Sequence, residues 1–157
     1  MLLRRRLRYI LLDMEWSRPD GYVVTDDKSR IDFERVYGWL SDAYWALGRS
    51  RDVMARSIEN SVALSCLDPD GVQVGFARWI SDGATFGWLC DVVVDPQLRG
   101  RGFGTFMVES AVQHPYVDDV GLRLLATRDA HGLYEQFGFV VVPNPLRWME
   151  LRNSTHQ

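Results

Sequence analysis

The sequence predicts a mixed α/β fold whose first half is an antiparallel meander and whose second half contains a β-α-β crossover. Three observations predict it. Residues 61–94 read as three successive strands joined by tight turns. A glycine-rich stretch at 99–104 lies between the last of these strands and a helical pattern. A shorter strand–helix pair then follows at 122–137. Period-2 and period-3.6 patterning alternate in the way a sheet covered by helices requires. The 157 residues suit one domain, and 46% apolar residues can build its core.

Arg4, Arg5, Arg6 and Arg8 precede the apolar run Tyr9-Ile10-Leu11-Leu12. A secretory signal needs an apolar stretch of roughly 7–15 residues, so this run is too short. Nor does any stretch approach the roughly 18 apolar residues of a membrane span. Residues 1–13 read as an N-terminal extension, an over-called start or a disordered arm. Residues 14–157 read as the domain.

Residues 21–26 are the first expected strand. Residues 32–46 carry Phe33, Val36, Tyr37, Leu40, Ala43 and Tyr44 at helical spacing, with Asp32 as N-cap. A second helix is expected over 50–60, capped by Ser50, with Val53, Met54, Ser57 and Ile58 inward. Strands at 61–67 and 72–80 flank Asp68-Pro69-Asp70-Gly71, a strong hairpin signal. The next strand, 84–94, ends in Val92-Val93-Val94, a continuous apolar run suited to burial on both faces. A helix over 105–113 is stopped by His114-Pro115. A strand at 122–126, a helix at 130–137 capped by Gly138, and strands at 139–142 and 148–151 complete the chain.

A net charge of −3 argues against nucleic acid as the main partner. It leaves a phosphorylated ligand open, because converging backbone amides bind phosphate without a basic protein. Cys66 and Cys90 sit in strand-like runs and read as reduced core residues, which suits a cytoplasmic protein. The loop Arg99-Gly100-Arg101-Gly102-Phe103-Gly104 has the composition of a phosphate cradle at a helix N-terminus, with two arginines at its mouth. A dinucleotide-binding loop needs G-x-G-x-x-G after the first strand of a parallel unit. Here the glycines fall at 100, 102 and 104 and a meander precedes them, although Asp129 could imitate the ribose-binding acid. No Gly-Lys-Ser/Thr occurs, which removes the P-loop.

The segment from Val92 to Gly104, with Asp95-Pro96, Arg99, Gly100, Gly102 and Gly104, resembles the signature of the GCN5-related N-acetyltransferases. The later Thr127-x-x-Ala130-x-x-x-Tyr134-x-x-x-Gly138-Phe139 is similar to that family's second motif. The element order agrees over residues 20–151. The run 126–134 further resembles a bacterial branch whose acceptors are poorly defined. The resemblance implies a largely antiparallel sheet of six to seven strands, flanked by about four helices and splayed after the strand ending at Val94. It implies acetyl-CoA as co-substrate, without metal. Pantetheine would pair with the backbone of Val92, Val93 and Val94. The pyrophosphate would take amides from Gly100, Arg101, Gly102, Phe103, Gly104 and Thr105, with Arg99 beside them. Thr127, Ala130 and Tyr134 would flank the pantetheine. Many relatives carry asparagine at the place of Thr127, and the shorter threonine leaves that contact open.

Acyl transfer from a thioester to an amine needs a neutral amine, a donor for the oxyanion and a proton for the leaving thiolate. Tyr134, where the family places a tyrosine, is the candidate acid; the alternative is a core tyrosine bonded to a backbone carbonyl. Asp91, an acid in an otherwise apolar strand, is the candidate base; the equally weighted alternative is a buried aspartate that fixes local structure. His131 could also act as base, or be simply solvated, and Glu109 reads as surface. Trp39, Tyr44, Trp45, Phe86 and Trp88 are candidates for an acceptor pocket, or for core. Asp26, Asp27, Asp32 and Asp42 could draw in a cationic amine, or form a solvated face. The expected reaction is direct attack by a primary amine of a small molecule or peptide in a ternary complex. Nothing near Cys90 in sequence would activate it as a nucleophile. The alternative function is a CoA-binding regulatory or interaction domain without chemistry. The acceptor is not readable, no nucleic-acid or membrane partner is expected, and a homodimer is left open.

Overall fold

Tight turns inside the 61–94 segment set the architecture. In the computed structural model, which describes residues 13–153, Asp68 Oδ1 accepts from the amides of Asp70 at 3.0 Å and Val72 at 2.8 Å. Gly71 takes the left-handed φ of +82° that closes the hairpin. On either side run β3 (Val62–Leu67) and β4 (Gln73–Ser81), and a second reversal leads to β5 (Phe86–Val94). Two short strands, β1 (Glu15–Ser17) and β2 (Val23–Thr25), extend the sheet beyond β3. β6 (Leu122–Leu124) joins at the other side. The sheet order is β1 to β6, antiparallel except for the parallel β5–β6 pair.

Helices cover both faces: α1 (Phe33–Ser41), α2 (Arg51–Glu59), α3 (Phe103–Val112), α4 (Pro115–Asp118) and α5 (His131–Glu135). Asp32 and Ser50 cap α1 and α2 as expected, accepting from Arg35 N and Val53 N. On one face α3 buries Phe103, Phe106, Met107 and Ala111 against Leu64, Ala77, Trp79 and Leu89. The Trp79 indole donates to the Ala111 carbonyl at 2.9 Å, so its polar edge is satisfied inside the core. On the other face Val36 and Leu40 of α1 and Met54 and Ile58 of α2 pack on Ala63, Phe76 and Val93.

Several boundaries differ from the sequence reading. α1 stops at Ser41 rather than 46. Ala43 N, Ala46 N and Arg49 N each bond the carbonyl three residues back, so 42–49 is a chain of tight turns that alternates buried Ala43 and Ala46 with exposed side chains. α3 begins at Phe103, two residues early, because Phe103 packs into the core. β1 was not expected; Met14 N donating to Asp26 Oδ1 at 2.6 Å helps fix it beside β2. His114 ends α3 but also caps α4, its Nδ1 accepting from Tyr116 N. Residues 139–142 and 148–151 form no strand, so the sheet has six strands among the described residues. The 1–13 extension lies outside the described residues except for Asp13.

Candidate active site

Two backbone features build the site. The first is the start of α3. Asp95 N donates to Val74 O at 2.8 Å, and Asp95 Oδ1 accepts from Gln97 N, which folds Pro96–Leu98 into a single tight turn. Gly100 and Gly102 then adopt φ of +74° and +82°. Gly102 is the N-cap and supplies no side chain, and the first helical bond runs from Phe106 N to Gly102 O. The amides of the first turn of α3 are thus left to an anion, aided by the helix dipole. Arg99 and Arg101 are exposed beside them. Phe103 contributes only its backbone, since its ring is 2% exposed in the core.

The second feature is a free strand edge. β6 pairs with β5 only at Phe86, Gly87 and Trp88. Beyond Trp88 the sheet splays, and from Leu89 to Val94 β5 keeps β4 on one edge and, among the described residues, no strand on the other. The free edge carries Val92, Val93 and Val94 directly into the glycine loop. An extended, amide-bearing chain could add there as a strand does.

Asp91 sits in this segment in an unusual conformation. Phe76 pairs with Val93 and Arg78 with Cys90, so Asp91 and Val92 together oppose Ala77: a bulge in β5. Asp91 takes φ +53°, the positive-φ non-glycine residue among those described. The residue is 2% exposed and its carboxylate is fully engaged. Oδ2 accepts from Arg78 Nε at 2.6 Å and from Arg49 Nη1 at 2.7 Å, and Oδ1 from Arg49 Nη1 at 2.9 Å. The sequence offered Asp91 as a base or as a buried aspartate that fixes local structure, and its contacts are those of the second. Two guanidiniums hold the oxygens that a base would turn toward an amine, and Arg49 ties the 42–50 loop to the bulge.

The same loop reaches across the splay. The Tyr44 hydroxyl accepts from Arg128 N at 3.1 Å, and the Arg128 guanidinium lies over the Tyr44 ring, 4.0 Å from its centroid. Trp45 meets Tyr44 edge-on at 4.9 Å. Tyr134 on α5 packs edge-on against Phe139 and is half-buried. Burial, with a smaller push from the Tyr44 phenol, drives the Tyr134 hydroxyl up to about 12. Among the described residues its hydroxyl makes no hydrogen bond, so the core reading, a tyrosine tied to a backbone carbonyl, is not what the fold contains. Thr127 Oγ1 accepts from Ala130 N at 3.0 Å, which spends its acceptor on shaping the turn before α5.

A family model for the Acetyltransferase (GNAT) domain matches residues 61–141, from β3 past α5. The chain belongs to the GNAT acetyltransferase family. Within that family it is 38% identical to a GNAT protein of solved structure from Xanthomonas campestris pv. campestris. The match covers 84% of this chain and 93% of that one, with a TM-score of 0.80. A second solved structure, Rv2747 from Mycobacterium tuberculosis in complex with CoA and NLQ, shares the fold at 20% identity and a TM-score of 0.61. It covers 74% of this chain and 70% of that one. A curated relative, GCN5-related N-acetyltransferase 2, chloroplastic, from Arabidopsis thaliana, is 34% identical over 77 residues. These are 48% of this chain and 30% of that protein. The chain spans less than two thirds of the length of the curated relatives it matches. The relatives include fungal, plant and algal proteins, so the likeness is not confined to bacteria.

In this GNAT chain the five aromatic candidates divide. Tyr44 and Trp45 sit on the loop that crosses the splay. Trp39 packs beside the α1–α2 core. Phe86 and Trp88 lie where β5 still pairs with β6. His131 and Glu109 are exposed. Of the acidic candidates, Asp32 and Asp27 are occupied as caps, and Asp26 bonds His114 Nε2 at 2.9 Å and Met14 N.

Sequence reasoning missed three arginines. Arg49 and Arg78 carried no motif; only their pairing partner Asp91 was conspicuous. Arg18, from the β1–β2 turn, stacks 4.3 Å from the Phe103 ring centroid. Its Nη1 lies 3.9 Å from where a side chain on Gly102 would begin, so a third guanidinium, itself paired with Asp20 at 2.9 Å, stands beside the glycine loop. Among the described residues no helix is long and apolar enough to cross a membrane.

Proposed function

We propose that this GNAT acetyltransferase moves an acetyl group from acetyl-CoA to a primary amine of a small molecule or peptide, by direct attack within a ternary complex. The observation that carries the reading is the continuity of the free β5 edge with the uncapped, glycine-lined start of α3. A pantetheine amide ladder and a pyrophosphate fit these two parts in sequence. The first-turn amides of α3, with Arg18, Arg99 and Arg101, would hold the phosphates. Bound acetyl-CoA supplies the thioester and a thiolate leaving group. Tyr134, neutral and with a hydroxyl that makes no hydrogen bond among the described residues, donates a hydrogen bond to that sulfur as the C–S bond breaks.

The amine must lose its own proton first. At pH 7 an alkyl amine with an ordinary pKa near 10 is only about 0.1% neutral. With Asp91 committed to its arginines, solvent takes the amine proton.

Cys90 stays outside the chemistry. Burial pushes its thiol up to about 11, so the nucleophilic thiolate is scarce at neutral pH. Cys90→Ala is expected to keep turnover within about threefold of the parent, measured with saturating acetyl-CoA; loss of a burst of acyl-enzyme together with activity would reverse the assignment.

Gly102→Ala is expected to cost roughly 1–2 kcal/mol, because φ +82° is strained for any residue with a Cβ. It should also raise KM for acetyl-CoA as the loop relaxes. Urea melts and acetyl-CoA titration check the two effects. The test of the function itself is release of free thiol from acetyl-CoA across a panel of amines. Stabilisation by acetyl-CoA with no thiol release from any amine would assign the chain instead to CoA-binding without chemistry.

A further inference from the structure

We propose that the acceptor is an amino acid with an apolar side chain, its carboxylate held by Arg49 and its side chain laid on the uncovered face of β4, β5 and β6. The inference rests on the acetyl-transfer reading above and names the class of amine.

The carboxylate follows from a charge count. Asp91 is shared by two guanidiniums, Arg78 at 2.6 Å and Arg49 at 2.7 Å. One negative charge meets two positive ones, so one positive charge is left over. Asp91 and Arg78 are the sealed pair, with side chains 0% and 7% exposed, whereas the Arg49 side chain is 26% exposed. Arg49 Nη1 makes both bonds to Asp91, and among the described residues its Nε and Nη2 make none. The Nε–Nη2 edge is the one that grips a carboxylate with two parallel bonds, and here it is held in place and unspent. Across the splay Arg128 adds nothing to the count, because Asp129 lies 3.4 Å from it. A purely cationic amine meets repulsion at Arg49; an amine that also carries a carboxylate meets a partner. The Tyr44 phenol, on the same loop, is one of the groups that push the Tyr134 hydroxyl up, so this loop stands beside the proposed acid.

The apolar side chain follows from the strand register. Arg78 lies on the α1–α2 face of the sheet, since its strand partner Ala63 packs there. By alternation Ile80 shares that face. Pairing carries the face across to Trp88 and Leu124, and one step further to Phe86 and Leu122. The helices cover it at Ala63, Phe76 and Val93. Ile80, Phe86 and Leu122 remain 45%, 37% and 44% exposed. From Cys90, the partner of Arg78, to Trp88 is two residues, about 7 Å along the strand. A large amino-acid side chain covers that distance from a carboxylate on Arg49. The strip runs into the splay without a break, which favours the acceptor as its occupant over an outside partner.

Thiol release from acetyl-CoA is compared for L-phenylalanine, L-phenylalaninamide, phenethylamine and L-serine. kcat/KM for phenylalanine should exceed that for its amide and for phenethylamine by about 10–100-fold, the range of a hydrogen bond to a charged group. It should exceed that for serine by about tenfold. Arg49→Met should erase the preference for phenylalanine over its amide and leave KM for acetyl-CoA in place. Phe86→Ser should narrow the preference over serine. Melting adds a readout that needs no turnover: L-phenylalanine at ten times its Kd should raise Tm by about 3–6 °C, and the amide at the same concentration should not. Equal or better use of phenethylamine would overturn the inference and leave acetyl transfer standing. No thiol release from any amine would end the acetyl-transfer reading, and a Tm unmoved by phenylalanine would end this inference. A dimer that Phe86→Ser dissociates, with substrate preference intact, would give the strip to a second copy and overturn its assignment to the acceptor.

Discussion

Tyr134→Phe is expected to lower turnover by about 100-fold while changing KM for acetyl-CoA by less than about threefold. One well-placed donor in a partly dry site typically contributes about 10²–10³ in rate. The ring stays, so packing against Phe139 and the binding of CoA should persist. The raised acidity constant sharpens the role. A phenol at about 12 lies some 3.5 units above a thiol at about 8.5, so full transfer to a free thiolate is uphill by roughly 5 kcal/mol. Tyr134 therefore acts by hydrogen bonding as the C–S bond breaks. A pH–rate profile makes this visible. Turnover should climb with pH as the amine deprotonates, and no fall due to the tyrosine should begin below about pH 10. The sign is clear: a group whose folded pKa is raised keeps its proton, and any stability it contributes is lost only as pH rises from about 10 toward 12. Equal loss of acetyl-CoA binding and turnover in the phenylalanine variant would end the acid assignment.

Asp91→Asn should have the other large effect, and mainly on stability. Asparagine has nearly the same shape and tolerates positive φ, so the bulge itself adds little strain. What changes is charge. Arg49 and Arg78 would face each other without their shared carboxylate, in a site where Asp91 and Arg78 are both nearly inaccessible. Breaking a buried pair by removing one partner typically costs about 3–5 kcal/mol. Arg49 is the more exposed arginine, so release of the 42–50 loop is the expected relief, and KM for the amine should rise more than KM for acetyl-CoA. Combining Asp91→Asn with Arg78→Met should recover part of the stability. A base would behave differently: Asp91→Asn would then leave the melting transition nearly unchanged and flatten the rise of rate with pH. Chemical denaturation and the pH profile of the variant separate the two.

Much of this was legible because local signals agreed. Asp68 to Gly71 wrote the hairpin, Asp32 and Ser50 wrote two helix starts, and Gly100 and Gly102 wrote the loop. Each acts within four residues, where sequence spacing maps directly onto geometry. The failures at the site depended on distant partners. The ionic role of Asp91 required Arg49, 42 residues earlier, and Arg78, 13 residues earlier. Arg18 reached the glycine loop only because the β1–β2 turn folds over Phe103. The expected strands at 139–142 and 148–151 had apolar, strand-like composition, yet pairing is decided by a neighbour, and composition names no neighbour. For Tyr134 the motif gave the position, while its unbonded hydroxyl could be read only from the fold.

The short contact between β5 and β6 has a consequence for how the protein breathes. The long pairings of β3, β4 and β5 should hold their amides against deuterium for longest. The half of the chain after the glycine loop is zipped to them by three residues of strand and by α3. Sub-global opening should therefore peel β6 and α5 away first, at a free energy well below that of complete unfolding. A ligand that pairs with β5 on one side and touches α5 on the other would act as a stitch across this seam. Exchange in residues 122–139 should slow markedly when acetyl-CoA is added, while β3 and β4 change little.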